Sequence, residues 1–278
     1  MSTNSKYINV NVASLQGVRD ENEDRHRVIL NLNKTNSDYN AINYYAVYDG
    51  HGGDFVSNFL YKNMHMYFMN LRVKYPLNRN YVLDVYNSIQ TILREKYKKQ
   101  SDQCGSTCLI ALICKHKKDK YLTVLNVGDS RGILCDSLNR VIPLSKDHKP
   151  EDPEEKNRIK KLGGVIEYSA GDDPRIEGLS LSRAIGDLDA EKYVSHLPDL
   201  FGYKINKNDK FMVLACDGLW DVLDNKSVVN YVLKYCYDAN TQKRNSEPIN
   251  IANKLAHYAI QQGSTDNVSV VVVFLDNI

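Results

Sequence analysis

The sequence predicts an α+β fold of packed layers whose sheets are largely antiparallel. Strand-like runs and amphipathic helix pairs alternate irregularly along the chain, without the βαβα rhythm of a doubly wound sheet. No internal repeat and no long linker divides the 278 residues, so residues 1–278 are expected to form a single domain. At this length roughly 75% of the unfolded surface can be buried, and the core needs no covalent staples.

Residues 7–32 alternate in strand fashion around a charged interruption, Arg19–Arg27, and Asn31–Asn43 is a polar loop. Tyr44–Tyr48 is apolar and β-prone, a short buried strand. It stops at Asp49, and Gly50, Gly52 and Gly53 follow. Phe55, Phe59, Leu60, Met64, Tyr67, Phe68 and Leu71 have helical spacing, and Pro76 punctuates. Val82, Val85, Tyr86, Ile89, Leu93 and Tyr97 mark a second amphipathic helix. The two helices are expected to cover one sheet face. Ser106–Cys114, Tyr121–Val127 and Gly132–Asp136 are β-rich, and the run Lys115–Lys120 reads as a solvated hairpin turn. Pro153–Leu162 is a short charged helix, opened by proline and ended by Gly163 and Gly164. Val165–Gly178 has no period and reads as an exposed loop. Phe211–Cys216 is a strongly apolar strand. Asp224–Tyr237 is a helix capped by Asp224, Asn225 or Ser227. Asp238–Glu247 is a polar loop, Pro248–Gln262 a further helix closed by Gly263, and Val268–Leu275 the last strand.

Composition excludes several classes. The net charge of +2, with no basic face, gives no warrant for nucleic acid. No apolar run approaches transmembrane length. The polar stretch Met1–Lys6 lacks a secretory core, and Ser2 stands where myristoylation would need glycine. Six cysteines form no C-x-x-C pair, and Cys108, Cys114 and Cys216 lie in apolar runs, so neither zinc nor a disulfide framework is expected. The chain reads as a cytoplasmic monomer without a membrane partner, the nucleus also being open to it.

Carboxylates recur where strands end or begin. Asp49, Asp129 and Asp217 each follow a strand, Asp266 precedes the last one, and Glu23 and Asp24 lie in the charged interruption near Arg19. Gathered together, such acids repel unless cations neutralise them. The donors are all oxygen, which favours Mg²⁺ or Mn²⁺ over Zn²⁺. His51 stands beside Asp49, able to handle a proton. Taken alone, Arg19 would be read as a surface partner of Glu23.

In chain order these residues read Arg19-x-x-x-Glu23-Asp24, Asp49-Gly-His-Gly-Gly53, Gly105-Ser-Thr107, Gly128-Asp-Ser-Arg131 and Asp147-His-Lys-Pro150, then Ser182-Arg-Ala-Ile-Gly-Asp187, Asp217-Gly-Leu-Trp-Asp221 and Asp266-Asn-Val-Ser269. The set resembles the metal-dependent protein phosphatase family, protein phosphatase 2C, over nearly the whole chain. The resemblance implies a four-layer αββα sandwich, two antiparallel sheets flanked by helices. It also implies hydrolysis of phosphoserine and phosphothreonine in phosphoprotein substrates, by a water activated between two cations and without a covalent intermediate. It implies that Asp49 bridges two metal ions and that Asp217 and Asp266 complete the shell of the first. The Gly50 carbonyl would serve the second, with Glu23 holding its waters and Asp24 supporting from behind. Arg19 would grip the phosphate and His51 protonate the leaving alkoxide, while Asp129 and Asp221 resemble the pair that holds a weaker third metal. Val165–Gly178 corresponds to the family's flap, here with the acidic Asp172-Asp173-Pro174-Arg175, and Leu197-Pro198-Asp199 stands where a Pro-Glu is common. No regulatory domain is expected after the last strand.

Other residues are read as scaffold. Asp147, His148 and Lys149 would hold a turn before Pro150, Arg183 and Asp187 would be ion pairs of the framework, and Trp220 would pin the loop carrying Asp217 and Asp221. Asp172 and Asp173 are read as solvated. The competing readings are a catalytically silent relative that docks phosphoproteins and a hydrolase of small phosphate esters. The first could tolerate losses among the metal acids, and none is lost.

Overall fold

The computed structural model describes residues 9–34, 41–69, 77–116, 119–247 and 249–276. The readings at Met1–Lys6 and Tyr7, at Leu71 and Pro76, at Lys117 and Lys118, and at Pro248 lie outside the described residues.

Two five-stranded antiparallel sheets face each other. The first runs in the order β1 (Val10–Leu15), β13 (Val268–Phe274), β12 (Phe211–Ala215), β8 (Arg131–Cys135) and β9 (Val141–Pro143). The second runs β11 (Asp199–Ile205), β7 (Asp119–Val127), β6 (Cys108–His116), β3 (Ile42–Tyr48) and β2 (Arg25–Ile29). Strand parity sorts the side chains. Tyr45 and Val47 of β3, Leu109 and Ala111 of β6, Met212 and Leu214 of β12 and Val271 of β13 meet between the sheets. Their sequence neighbours point outward. Tyr44, Ala46 and Tyr48 pack under helices α1 (Phe55–Asn63) and α2 (Arg79–Lys96). Phe211, Val213 and Val272 pack under α6 (Asn225–Cys236) and α7 (Ile251–Gln261). The central strands are thus buried on both faces, which is why they read as continuous apolar runs instead of alternating ones. The result is the expected α+β sandwich of four layers.

The helix starts follow the capping chemistry. Asp224 accepts from Ser227 N at 2.6 Å, and Asp152 caps α4 (Pro153–Lys161) with proline in its first turn. α7 begins later than expected: Asn250, accepting from Asn253 N at 3.1 Å, is its cap. The helix expected to run from Phe55 ends at Asn63 and tightens into a 3₁₀ turn over Met64–Tyr67. The hairpin between β6 and β7 stands, but its strands extend into the charged run, with His116 paired to Asp119.

Strands not foreseen are β9, the outer strand β11, and a small sheet made of β4 (Gly50–His51), β5 (Gly105–Ser106) and β10 (Ile185–Gly186). β11 is only partly buried and Gly202 interrupts its apolar residues, so its alternation is weak, yet it pairs with β7 along its whole length. Short helices α3 (Lys98–Ser101) and α5 (Asp217–Trp220) complete the set. Among the described residues no helix is long and apolar enough to cross a membrane.

Topology gathers the acids. β3 and β7 both pair antiparallel with β6, so their C-terminal ends share one end of the sandwich. β12 pairs antiparallel with β13, so the end of β12 lies beside the start of β13.

Candidate active site

At that end Asp49, Asp129, Asp217 and Asp266 come together with Asp24, as their electrostatics shows. Asp49 is pushed well above the usual carboxylate range by burial, then by the charges of Asp217, Asp24, Asp129 and Asp266. Asp217 is pushed well up by burial and by Asp129 and Asp221. Asp221 rises through burial and Asp129's charge, with Lys149 opposing. Burial pushes Asp24 up to about 6.

The backbone holds these groups firmly. Asp49 N donates to Thr107 Oγ1 at 3.0 Å, Thr107 N returns a bond to Asp49 O at 2.8 Å, and Thr107 Oγ1 meets Ser130 Oγ at 2.7 Å. Asn267 ties the loop bearing Arg19 and Glu23 to β13. It accepts from Glu23 N at 2.9 Å and donates to Gln16 O and Glu21 O. Glu23 Oε1 accepts from Gly53 N at 2.9 Å, next to Gly50 of β4. Arg19 is not paired with Glu23. It lies exposed, with Nη2 2.6 Å from Asp266 Oδ2. Trp220 is buried and donates to Ala215 O at 3.0 Å, securing the α5 turn between Asp217 and Asp221.

The residues read as scaffold do not all resolve alike. Arg183 does belong to the framework, bonding Glu155 and Asp199. His148 is buried, accepting from Gly128 N and facing Asp199 Oδ2 at 3.2 Å, and Asp147 takes Arg131 in a two-pronged pair. Lys149, however, does more than hold a turn. Its Nζ lies 2.5 Å from Asp129 Oδ2. Burial works against its charge, but Asp129, Asp217 and Asp221 hold the ammonium above its ordinary range. Asp187 is paired as well, and with a residue of the candidate site: its Oδ2 lies 2.7 Å from His51 Nε2. Burial opposes the imidazolium, and Asp187, then Asp129 and Glu23, more than offset this and raise His51. Neither partnership could be read from sequence spacing. The signal available was only that both residues sit inside quoted motifs.

Segment 165–178 carries isolated pairing between Glu167 and Arg175, and Arg175 binds Asp172. Asp172 and Asp173 are exposed, as expected.

Do these residues suit a hard divalent cation? Asp24 is 3% exposed, and neither of its oxygens has a hydrogen-bond partner of good geometry. One oxygen of Asp24, one of Asp49 and Cys216 Sγ lie within 4.8 Å of one another. Burial holds the Cys216 thiol well above its usual range, so it remains protonated and the available donors are oxygens. Clustered carboxylates held up by burial and then by mutual repulsion, one of them unpartnered and buried, fit Mg²⁺ or Mn²⁺.

A family model described as Protein phosphatase 2C matches residues 8–268. Protein phosphatase 1L of Bos taurus is 36% identical over 291 residues, covering 98% of this chain and 74% of the relative. A PP2C-like domain-containing protein of Acanthamoeba polyphaga mimivirus is 44% identical over 173 residues, 56% of this chain and 96% of that protein. Among solved structures, a serine-threonine phosphatase 2C from Toxoplasma gondii superposes with a TM-score of 0.79 at 24% identity, covering 98% of this chain and 96% of its own.

Proposed function

The chain belongs to the protein phosphatase 2C family and is a protein serine/threonine phosphatase, and from that premise we propose how its residues divide the work. The observation that supports the division most is the shared upward displacement of Asp24, Asp49, Asp217 and Asp221, acids crowded together where burial and one another's charge oppose their ionisation. Asp49, Asp217 and Asp266 would hold one divalent ion. Asp49, the Gly50 carbonyl and Glu23 would hold a second, with Asp24 behind, and Asp129 and Asp221 would serve a weaker third. Bound Mn²⁺ or Mg²⁺ supplies charge neutralisation and makes a water acidic enough to attack phosphorus near neutral pH.

The remaining work falls to the chain. Arg19, anchored through Nη2 on Asp266, turns its other N–H groups to the phosphate oxygens. His51 gives a proton to the departing serine or threonine oxygen, a role worth roughly 10²–10⁴-fold. No covalent intermediate is needed. Burial pushes the thiols of Cys104, Cys108, Cys114, Cys135, Cys216 and Cys236 up, and none is poised as a thiolate nucleophile. The substrates would be phosphoproteins.

Hydrolysis of a phosphothreonine peptide with Mn²⁺, then with EDTA, then by Asp217→Asn, tests the reading. Turnover that survives chelation and the substitution rejects it. A chain that takes up no Mn²⁺ in calorimetry yet binds phosphopeptide would instead be a silent docking relative.

A further inference from the structure

We propose that the three-stranded sheet β4–β5–β10 is a positioning device for His51, in which Asp187 accepts from His51 Nε2 and thereby presents Nδ1 to the leaving oxygen. This rests on the reading of His51 as the proton donor. The register puts His51, Gly105 and Gly186 in one row across the sheet, and Asp187 is the next residue after that row. Its carboxylate is 2% exposed and 2.7 Å from the imidazole. The backbone at Asp187 takes φ +43°, a left-handed conformation that a residue with a side chain rarely adopts. The surroundings enforce it: Asp187 N bonds Cys104 O at 3.1 Å, and the buried Gln90 side chain of α2 grips both polar groups of Gly186, at 2.8 and 3.0 Å.

Gly105 supplies an independent observation. A Cβ there would overlap Asp187 Oδ2 and lie 2.5 Å from His51 Nε2. The pair therefore meets over a glycine, and no other residue type leaves room for it. A carboxylate so placed holds an imidazole in one tautomer and one orientation, as the third member of a catalytic triad does. In the chemical step the oxygen of water bonds to phosphorus as the bond to the serine or threonine oxygen breaks. The proton on Nδ1 passes to that oxygen, and the ring is left as the Nε2–H tautomer that Asp187 accepts from. Asp187 is thus a positioning residue, acting through His51.

The test compares two substrates under saturating Mn²⁺. p-Nitrophenyl phosphate releases a stable phenolate that needs little protonation, whereas a phosphothreonine peptide releases an alkoxide that needs it. His51→Gln should lower the ratio of kcat on the peptide to kcat on the nitrophenyl ester by about tenfold or more. Asp187→Asn and Gly105→Ala should lower the same ratio by roughly tenfold with KM little moved, and should add nothing further in the His51→Gln background. Equal losses on both substrates, or an undiminished effect of Asp187→Asn when His51 is already gone, would mean a structural role and overturn the proposal. Should His51→Gln itself leave the ratio alone, the reading of His51 fails and this inference with it. A His51 effect with no Asp187 effect overturns the inference alone. In wild-type protein, long-range proton–nitrogen NMR should show His51 protonated at Nε2, identified by its loss in His51→Gln. An Nε2 without its proton contradicts the arrangement even if the variants fail to fold.

Discussion

Glu155 and Asp24 are each only a few per cent exposed, yet Glu155 is lowered to about 2 whereas Asp24 is raised to about 6. Burial pushes both upward. Around Glu155 the chain brings its own cations: Arg183 Nη2 at 2.6 Å, Arg158 Nη2 at 2.8 Å, and Ser182 Oγ as a further donor at 2.8 Å. Around Asp24 it brings other acids, and the nearby polar groups of Ser269 and Cys216 offset the burial only in part. Glu155 joins α4 to the segment before β10 and is complete as it stands. The acid cluster has fewer cations of its own, with the partly buried Lys149 on Asp129 and Arg19 on its exposed rim. A buried charge satisfied from within is architecture, and one left for an external partner is function.

Breaking the site should have the largest effect. Asp217→Asn or chelation should lower phosphopeptide turnover on the order of 10³-fold, read by phosphate release. Breaking the other corner should cost fold instead of chemistry. Arg183→Leu leaves Glu155 short of a partner and should destabilise by about 3 kcal/mol, lowering Tm by roughly 6–12 °C in a scanning fluorimetry trace. Turnover per folded molecule should change far less than in Asp217→Asn.

The two corners should also answer pH with opposite sign. Asp24 binds its proton more tightly in the folded state than at its ordinary value of 3.8, so its protonation favours the fold. Metal-free protein should therefore gain stability as pH falls through about 6 toward 3.8. Glu155 is depressed, so its contribution is present above its ordinary 4.5 and is lost as pH falls from there toward 2. A Tm profile in EDTA should peak in mild acid, and Mn²⁺ should raise Tm and move the peak toward neutrality. Asp49→Asn should raise the EDTA value by a few degrees and abolish most of the Mn²⁺ gain. An EDTA profile that climbs steadily from pH 5 to 8 would contradict this picture. The smallest effect belongs to the exposed segment 165–178. Asp172→Ala removes an exposed partner of Arg175 and should leave Tm unchanged within error.

Much of this was legible before any coordinates. Val268–Phe274 and Phe211–Ala215 announce buried strands because both of their faces are covered, and apart from Ser269 at the site end only apolar residues stand there. The helix α6 announces its start because Asp224 must satisfy free N–H groups. β11 went unseen because an outer strand faces water on one side and is held by its ladder to β7 more than by its own side chains. The small sheet went unseen because two-residue strands have no period to detect.

By itself the sequence determined which residues are acids, where strands must stop, and which faces must be hidden, since burial and backbone geometry act on neighbours along the chain. Which acid keeps company with which cation was decided only in three dimensions. Lys149 and Asp129 are twenty positions apart and His51 and Asp187 one hundred and thirty-six, as the numbering of their contacts records. Charges interact through the distance between them in space, and that distance exists only once the sheets have closed.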